Sequence, residues 1–196
     1  FVDPEMRHGR KSRSLLVDGY KRHVLRELDS RLIVAVGVTP ANAPEASVTD
    51  AIETDLAAQQ CTLRELHIDR AYLASPLVHQ RTEELAIFCK AWPVRQGPYF
   101  PKSAFQLDWA RHTLRCPGGE TMPFEPGGVV TFPAATCAGC ALRERCTASA
   151  SGRSVSIHPD EALLQELRER QQTPQGRAQL RERVAVEHAL AHVRRW

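Results

Sequence analysis

Alternating and periodic apolar positions in the first third of the chain predict a hairpin followed by a helix. Residues 19–28 alternate loosely, and residues 32–38 form a nearly continuous β-branched run. Asp29-Ser30 between them is a turn sequence, so the two runs predict an antiparallel β-hairpin. Residues 46–60 carry apolar side chains four positions apart, which is typical of an amphipathic helix.

Two further apolar runs predict strands that pair in parallel. Residues 65–68 are predicted to form a short strand that ends at Asp69, and residues 86–92 form another. Ser75-Pro76 lies between them and is typical of a helix start, with Pro at the first helical position. Because a helical crossover connects parallel strands, we predict an α/β fold with a covered sheet.

The rhythm of strands and helices breaks at residues 93–158, which are rich in Pro and Gly and hold four clustered cysteines. We interpret this segment as an inserted module. Apolar periodicity returns in two helices, one over residues 160–172 and one from Thr173-Pro174 onward. The predicted organisation is therefore a first core part (1–92), a Cys-rich insertion (93–158) and closing helices that complete the core (159–196).

Composition narrows the class of protein but does not name its activity. The 196 residues are 42% hydrophobic and 25% charged, which is typical of a soluble globular protein. Runs of about 18 apolar residues do not occur, so we expect no membrane-spanning segment. The net charge of +3 conceals seven basic residues against one acid in residues 6–26. The start at Phe1 and the end inside a helical pattern indicate an internal piece of a longer protein.

Asp69 is the first candidate for chemistry because of its place in the predicted sheet. It follows a strand at its carboxyl end, the edge where ligand-binding groups of open α/β sheets concentrate. The alternative is that its side chain caps the turn that follows.

Glu187 is the second candidate because it interrupts an apolar helix face. Leu180, Val184 and Ala191 fall on one side of the last helix, and Glu187 lies in the middle of that stripe. A carboxylate that faces a core is costly unless it is paired or binds a cation. An ion pair with Arg183, one turn earlier, or a partly exposed stripe is the alternative.

Four of the six cysteines have the spacing of a metal site. A C-x-x-C pair with two outlying thiols fits a tetrahedral Cys₄ zinc site, and a metal would replace the core that this segment was not expected to build. The four are Cys116, Cys137, Cys140 and Cys146. We expect their sulfurs to converge on one point, with His112 and His158 as substitute ligands. An iron–sulfur cluster and unliganded or disulfide-bonded thiols stay open, whereas Cys61 and Cys89 are expected to be plain buried packing.

Several segments, taken in order, resemble the DDE transposases of bacterial insertion sequences. The resemblance rests on residues 3–12, 18–21, 38–42, 68–72 and 183–188. It implies a ribonuclease H-like mixed sheet with flanking helices, and three carboxylates that hold two divalent cations. The small Cys-rich segment is then a zinc-ribbon-like insertion before the last catalytic helix.

The resemblance also implies roles for individual residues. Asp69 matches the second carboxylate, in a D-x-x-Y context completed by Tyr72, and Glu187 matches the third. Arg183 matches the arginine of the family's Y-R-E-K signature. The tyrosine and lysine of that signature fall on Leu180 and Val193, so these two positions depart from it.

The first carboxylate of the family has no counterpart here. In the family it lies on a first core strand, which in this chain would precede Phe1, so we expect the fragment to lack both. Two Mg²⁺ ions about 4 Å apart carry out the family's phosphoryl transfer. Asp69 and Glu187 should therefore lie within roughly 4–8 Å of each other in the folded chain.

These observations predict part of a transposase that cuts and joins transposon-end DNA. Its expected partners are duplex DNA and other copies in a synaptic complex, in the bacterial cytoplasm at the nucleoid. The basic residues expected to contact phosphates, unless they only form a solvated face, are Arg7, Arg10, Lys11, Arg13, Lys21 and Arg194. A non-enzymatic zinc-containing DNA-binding module and a decayed remnant are the alternatives. Without its first strand, the fragment is expected to be inactive, poorly soluble and without a complete five-stranded sheet.

Overall fold

The computed structural model describes residues 3–10, 14–93 and 97–193 as a mixture of short strands and helices. The strands are β1 (Arg7–Arg10), β2 (Leu16–Arg26), β3 (Ile33–Pro40), β4 (Glu65–His67), β5 (Ala86–Phe88), β6 (Gln106–Asp108), β7 (Thr113–Arg115), β8 (Thr121–Pro123), β9 (Val129–Thr131) and β10 (Ser154–Ser156). The helices are α1 (Thr49–Ala58), α2 (Pro76–His79), α3 (Ala134–Ala138), α4 (Arg143–Cys146), α5 (Glu161–Arg170), α6 (Pro174–Glu182) and α7 (Val184–Val193). In this described part, no helix is long and apolar enough to cross a membrane.

The chain divides into two units, which we describe separately. The first comprises Phe1–Ala91 and Leu167–Trp196, and the second comprises Trp92–Glu166. The α/β class predicted from the sequence is confirmed, since helices and small sheets alternate along the chain.

The predicted hairpin is present in the first unit. Strands β2 and β3 pair antiparallel, with Val24 opposite Val36, and the register shifts between Leu25 and Arg26. The additional strand β1 lies on the other side of β2, where Arg10 pairs with Leu16. The sequence did not predict β1, because its four residues include a glycine and no large apolar side chain.

One face of the hairpin packs against the predicted helix, which begins with a 3₁₀ turn at Glu45–Val48. Buried side chains from this turn, from α1 and from β3 form one core cluster: Ala35, Val48, Ile52 and Leu56. Gly37 on β3 permits the close approach, because a Cβ there would lie 2.1 Å from Cγ2 of Val48. Burying such aliphatic side chains stabilises the fold by roughly 1.5–3 kcal/mol each.

The two later strands, β4 and β5, pair in parallel as predicted. Leu66 lies opposite Ile87 in this two-stranded sheet. Among the described residues, β4 and β5 share no strand pairing with β1, β2 and β3. The described strands therefore do not build a continuous five-stranded sheet.

The helix predicted after Ser75-Pro76 is shorter than expected. The positions of Leu77, Val78 and Leu85 predict a helix that continues to Leu85, but α2 makes a single turn, Pro76–His79. The Arg81 guanidinium donates a 2.5 Å hydrogen bond to the carbonyl of Val78 and so occupies a carbonyl at the helix end. The backbone of Gln80 departs from helical geometry after this turn, with φ −96° and ψ 9°.

The closing helix predicted from Thr173-Pro174 is two helices, α6 and α7, which meet at Arg183. Thr173 Oγ1 caps α6 by accepting a 2.9 Å hydrogen bond from the backbone N–H of Gly176. The apolar stripe proposed around Glu187 is not a buried face: Val184 is 45% exposed and Ala191 is exposed.

The second unit, Trp92–Glu166, builds a hydrophobic core of its own. Buried side chains from its three-stranded sheet β6-β7-β8, from its β9-β10 pair and from residues next to these strands form one cluster: Phe105, Leu114, Phe124, Val130, Phe132, Val155 and Ile157. The expectation that this segment lacks the apolar residues for a core was wrong. Scattered single aromatics and aliphatics converge here through tertiary contacts, with no periodic pattern in the sequence.

Candidate functional site

Asp69 lies where the predicted strand gives way to a tight turn. Strand β4 ends at His67, and Asp69 is in extended conformation immediately before a 3₁₀ turn formed by Arg70–Tyr72. Its side chain makes no capping hydrogen bond to that turn in the described structure. The carboxylate is 55% exposed and turns instead towards the closing helices.

Arg183 brings Asp69 and Glu187 together. Its Nη1 donates to Asp69 Oδ2 at 2.8 Å, and its Nη2 donates to Glu187 Oε1 at 3.0 Å. Because both carboxylates share one planar guanidinium, these two oxygens lie within about 8 Å of each other. The structure therefore brings together the two acidic residues that the sequence singled out, although 114 residues separate Asp69 from Arg183.

The environment of Glu187 is polar and exposed. Its side chain is 60% exposed, and its ion pair with Arg183 is the i,i+4 helix pair that was the alternative to a metal ligand. The idea that Glu187 faces an apolar core was wrong, because the helix face around it is largely open to solvent. Its closeness to Asp69 depends on Arg183 and on no burial of its own.

The donor set at this place fits a hard divalent cation only in part. Carboxylate oxygens are the ligands that Mg²⁺ prefers, and two of them converge here. In residues 3–10, 14–93 and 97–193, however, no group of three or more His, Cys, Asp or Glu is arranged to hold a metal ion. A cation between Asp69 and Glu187 would also have to take the place of the Arg183 guanidinium.

A buried polar network lies behind the turn that carries Asp69. Nδ1 of His23 is hydrogen-bonded to the Tyr72 hydroxyl at 2.6 Å, and Nε2 is hydrogen-bonded to Thr39 Oγ1 at 2.8 Å. The His23 and Tyr72 rings meet edge to face with centroids 5.9 Å apart. Thr39 and His23 are both buried, so hydrogen bonding within the network compensates for lost hydration.

Burial shifts the pKa values of this network in the directions expected for groups kept neutral. Desolvation lowers the pKa of His23, and the nearby charges of Glu45 and Lys21 act in opposite directions. Desolvation, followed by the charges of Glu45 and Asp69, raises the pKa of Tyr72 to about 12. Both rings are therefore neutral near pH 7.

The basic residues predicted to contact phosphates have different surroundings. Lys21 is half-buried, with its ammonium 2.9 Å from Glu45 Oε1 and 2.6 Å from the carbonyl oxygen of Ala43. Arg7 donates to the carbonyls of Pro4 and Met6. Arg10 is exposed on β1. The three remaining candidates lie outside the described residues: Lys11, Arg13 and Arg194.

The four clustered cysteines of the second unit line one cavity. They are Cys116, Cys137, Cys140 and Cys146, and all are free thiols. Gly118 lies between two of them, since a Cβ there would lie 3.0 Å from Sγ of Cys140 and 3.6 Å from Sγ of Cys116. The backbone N–H of Leu142 donates to Sγ of Cys140 at 3.4 Å.

The thiols do not form a ready metal site. Among the described residues, which include all four, no three or more His, Cys, Asp or Glu side chains are arranged to hold a metal ion. Burial raises the pKa of the Cys146 thiol, with an opposing effect from Arg153. The four sulfurs were expected to converge on one point, and the structure shows only that the four cysteines line the same cavity.

Outside this cavity, two histidines and two cysteines had predicted roles, and the environment of one cysteine differs from its prediction. His112 stacks on Phe124, and Nδ1 of His158 accepts from the backbone N–H of Asp160, so both rings have other partners. Cys89 is buried as predicted, and desolvation raises its pKa to about 11. The prediction for Cys61 was wrong: it is exposed at the end of α1.

Sequence reasoning missed His23 and Thr39 as contributors to the site. The available signal was the alternation of the hairpin, which directs His23 inwards opposite Gly37. A polar ring at an inward position requires a partner. The partner, Tyr72, is 49 residues away, and no local pattern connects the two.

Comparison with known protein families gives a match to part of the chain. Residues 115–195 match a family described as the transposase DDE domain. This stretch contains Arg183, Glu187 and the four clustered cysteines, while Asp69 precedes it. The predicted resemblance to DDE transposases is confirmed by this match. No curated protein and no solved structure matches the chain.

Proposed function

We propose that this chain supplies the second and third carboxylates of a DDE active site that cuts and joins DNA ends. Asp69 and Glu187 would hold Mg²⁺ through their carboxylate oxygens, in a ribonuclease H-like arrangement of strands. The observation that carries the proposal is the shared contact of both carboxylates with Arg183. Two acids from opposite ends of the first unit meet at one exposed place that a phosphodiester can reach.

The chemistry follows from what each residue at this place offers. A Mg²⁺ pair, when bound, activates a water or 3′-hydroxyl and stabilises the leaving oxygen of an in-line displacement. Asp69 and Glu187 provide negative charge and oxygen ligands. Arg183 carries a permanent positive charge beside both carboxylates, and its two Nη groups could bind two oxygens of a phosphate in bidentate geometry.

Duplex DNA is the proposed partner, in a bacterial insertion-sequence transposase that acts in the cytoplasm and pairs with other copies in a synaptic complex. Arg7 and Arg10 are the exposed members of the predicted basic set in the described part of the chain, whereas Lys21 is half-buried and paired with Glu45. Phosphate contacts release counterions, so binding should weaken steeply with salt.

Manganese binding tests the proposed metal site without requiring cleavage. Mn²⁺ is added to the chain and the free ion is followed by electron paramagnetic resonance, in wild type, Asp69→Asn and Glu187→Gln. We expect each substitution to weaken binding by at least about 10-fold, since each removes a charged ligand. Glu182→Gln, an exposed carboxylate on α6, is the matched control and should bind like wild type. Equal binding by wild type and Asp69→Asn contradicts the proposal.

A non-enzymatic DNA-binding module is the second candidate. It is favoured by one observation: within the described ranges, no third acidic residue joins Asp69 and Glu187. Duplex binding that persists in Asp69→Asn and Glu187→Gln, together with Mn²⁺ affinity equal to that of Glu182→Gln in every variant, supports this module and excludes the enzyme.

A structural zinc ion in the second unit is a separate part of the proposal. It is supported by four free thiols around one cavity and by the N–H donor to Cys140 Sγ, a contact that favours a thiolate. Binding would draw the four sulfurs to within about 4 Å of one another. Substituting Co²⁺ tests this: a tetrahedral thiolate spectrum that disappears in Cys137→Ser and persists in Cys61→Ser supports the site. Its absence from wild type rules zinc out.

A further inference from the structure

We propose that His23 is a positioning residue for Asp69, acting through Tyr72. His23 anchors the turn that carries the Asp69 carboxylate to the β2-β3 hairpin. This inference rests on the proposed function, because it concerns the metal-binding geometry of Asp69. Neither His23 nor Tyr72 is placed in contact with the metal or with DNA.

The first step is the dependence of Asp69 on Tyr72. The backbone N–H of Tyr72 donates to the carbonyl oxygen of Asp69 at 3.0 Å, which closes the 3₁₀ turn. The N–H of Ser75 then donates to the carbonyl of Tyr72 at 3.0 Å and joins the turn to α2. Asp69 therefore occupies the first position of a turn whose last residue is Tyr72. A shift of the Tyr72 backbone moves Asp69 with it.

The second step is the anchoring of Tyr72. Its hydroxyl is hydrogen-bonded to His23 on β2 at 2.6 Å, and this bond connects elements 49 residues apart. His23 is held in turn by Thr39 on β3, so its ring is fixed from both nitrogens. Because both χ angles of His23 are thereby restrained, the Tyr72 hydroxyl has one well-defined partner position.

Burying the polar His23 ring gives up apolar packing in exchange for a fixed direction. His23 is 6% exposed and lies on the inward side of the hairpin, opposite Gly37. An apolar side chain there would bury more surface and would need no partners. A fully bonded polar group instead provides direction, since a hydrogen bond fixes distance and angle where apolar contact does not.

The substitution pair His23→Asn and His23→Gln separates positioning from packing. Asn presents a polar atom near the place of Nδ1, the atom that meets Tyr72, while Gln presents one near Nε2, the atom that meets Thr39. Tyr72→Phe removes only the hydroxyl, and Thr39→Val removes the other partner. Thermal unfolding and Mn²⁺ binding by electron paramagnetic resonance are measured for each.

We expect Tyr72→Phe and His23→Gln to weaken Mn²⁺ binding by about 10-fold, the lower end of the range for residues that orient a metal ligand. His23→Asn should restore affinity to within about twofold of wild type. Thr39→Val frees one nitrogen of the His23 ring but keeps the bond to Tyr72, so it should weaken Mn²⁺ binding by less than Tyr72→Phe does, while lowering the melting temperature at least as much. This split between affinity and stability is what a purely structural role cannot produce.

The outcomes that overturn the inference differ from those that overturn the proposed function. If Asp69→Asn weakens Mn²⁺ binding while Tyr72→Phe, folded like wild type, binds normally, His23 and Tyr72 do not position Asp69. Affinity losses that follow melting temperature across all four variants also overturn positioning. If Asp69→Asn itself binds like wild type, the proposed metal site fails first.

Discussion

Arg183 makes the electrostatics of the site depend on one side chain. Its single positive charge offsets part of the repulsion between two carboxylates, and all three side chains are at least 38% exposed. Exposed ion pairs are screened by water and contribute only about 0.2–1 kcal/mol each. The contact is therefore weak enough for a divalent cation to replace, with Arg183 as the cation that holds the site in its absence.

Arg183→Gln tests this exchange, and its two effects should have opposite signs. We expect the free energy of unfolding without metal to fall by about 1 kcal/mol or less, because only exposed pairs are lost. Mn²⁺ affinity should rise by about fivefold, because a positive charge close to the ligands is removed. Urea unfolding and Mn²⁺ titration measure the two. Arg181→Gln, on the exposed end of α6, serves as the control, and a loss of Mn²⁺ affinity specific to Arg183→Gln would contradict the exchange.

The buried His23 predicts a dependence of stability on pH. Its pKa is lowered by burial, so between the folded-state value and about 6.5 the unfolded chain binds a proton that the folded chain does not. Its contribution is complete above about pH 6.5 and is lost as the pH falls through this window, with a slope of at most about 1.4 kcal/mol per pH unit. Urea unfolding of wild type and His23→Asn from pH 7.5 to 5.5 checks the difference. Parallel curves would show that His23 is not the group responsible.

At the scale of elements, the close approach of β3 to the 3₁₀ turn before α1 depends on Gly37. We expect Gly37→Ala to lower the free energy of unfolding by about 1–3 kcal/mol, because its Cβ would overlap the buried, β-branched Val48. Gly139→Ala is the matched control, since the nearest atom to its Cβ would be 3.9 Å away. Chemical unfolding of both variants measures the difference, and equal stabilities would mean that the hairpin and the turn yield freely.

Elements with a long apolar pattern were predictable, and those decided by a single tertiary contact were not. The β-branched run of β3 and the four-residue spacing of α1 carry their own structural preference. Helix α2 showed a similar spacing, but the Arg81 side chain takes one of its terminal carbonyls. Strand β1 forms by backbone pairing with β2, and its side chains show no apolar pattern from which a strand could be predicted.

In the candidate site, the residues that lie in a local sequence pattern were predictable, and their long-range partners were not. Asp69 was visible from its place at a strand end, and Glu187 from its place in a helix pattern, although the pattern was interpreted as buried. The hydrogen bond between His23 and Tyr72 joins two polar residues far apart in the sequence, and no periodic pattern predicts it. The core of the second unit is similar, because Phe105 and Phe132 meet only after the chain has folded back.

At the scale of the whole molecule, we expect the outer face of the hairpin to favour association between copies of the chain. The outward positions of β2 and β3 carry large apolar side chains, and Val36 and Val38 are 58% and 66% exposed. Clustered apolar surface on a strand pair favours association between copies. This face is exposed in the described part of the chain, and we expect it to promote association between copies.

Replacing this surface should therefore raise solubility without loss of stability. In the double variant Val36→Thr and Val38→Thr, the side chains stay β-branched, so strand preference is kept while exposed apolar area falls. We expect a higher soluble yield, less light scattering on concentration and a free energy of unfolding within about 0.5 kcal/mol of wild type. Val129→Thr, at a 63% exposed valine in the second unit, removes about half as much apolar area elsewhere and should leave association unchanged. If Val129→Thr improves solubility as much as the double variant does, association follows total apolar exposure, and the hairpin face has no special part in it.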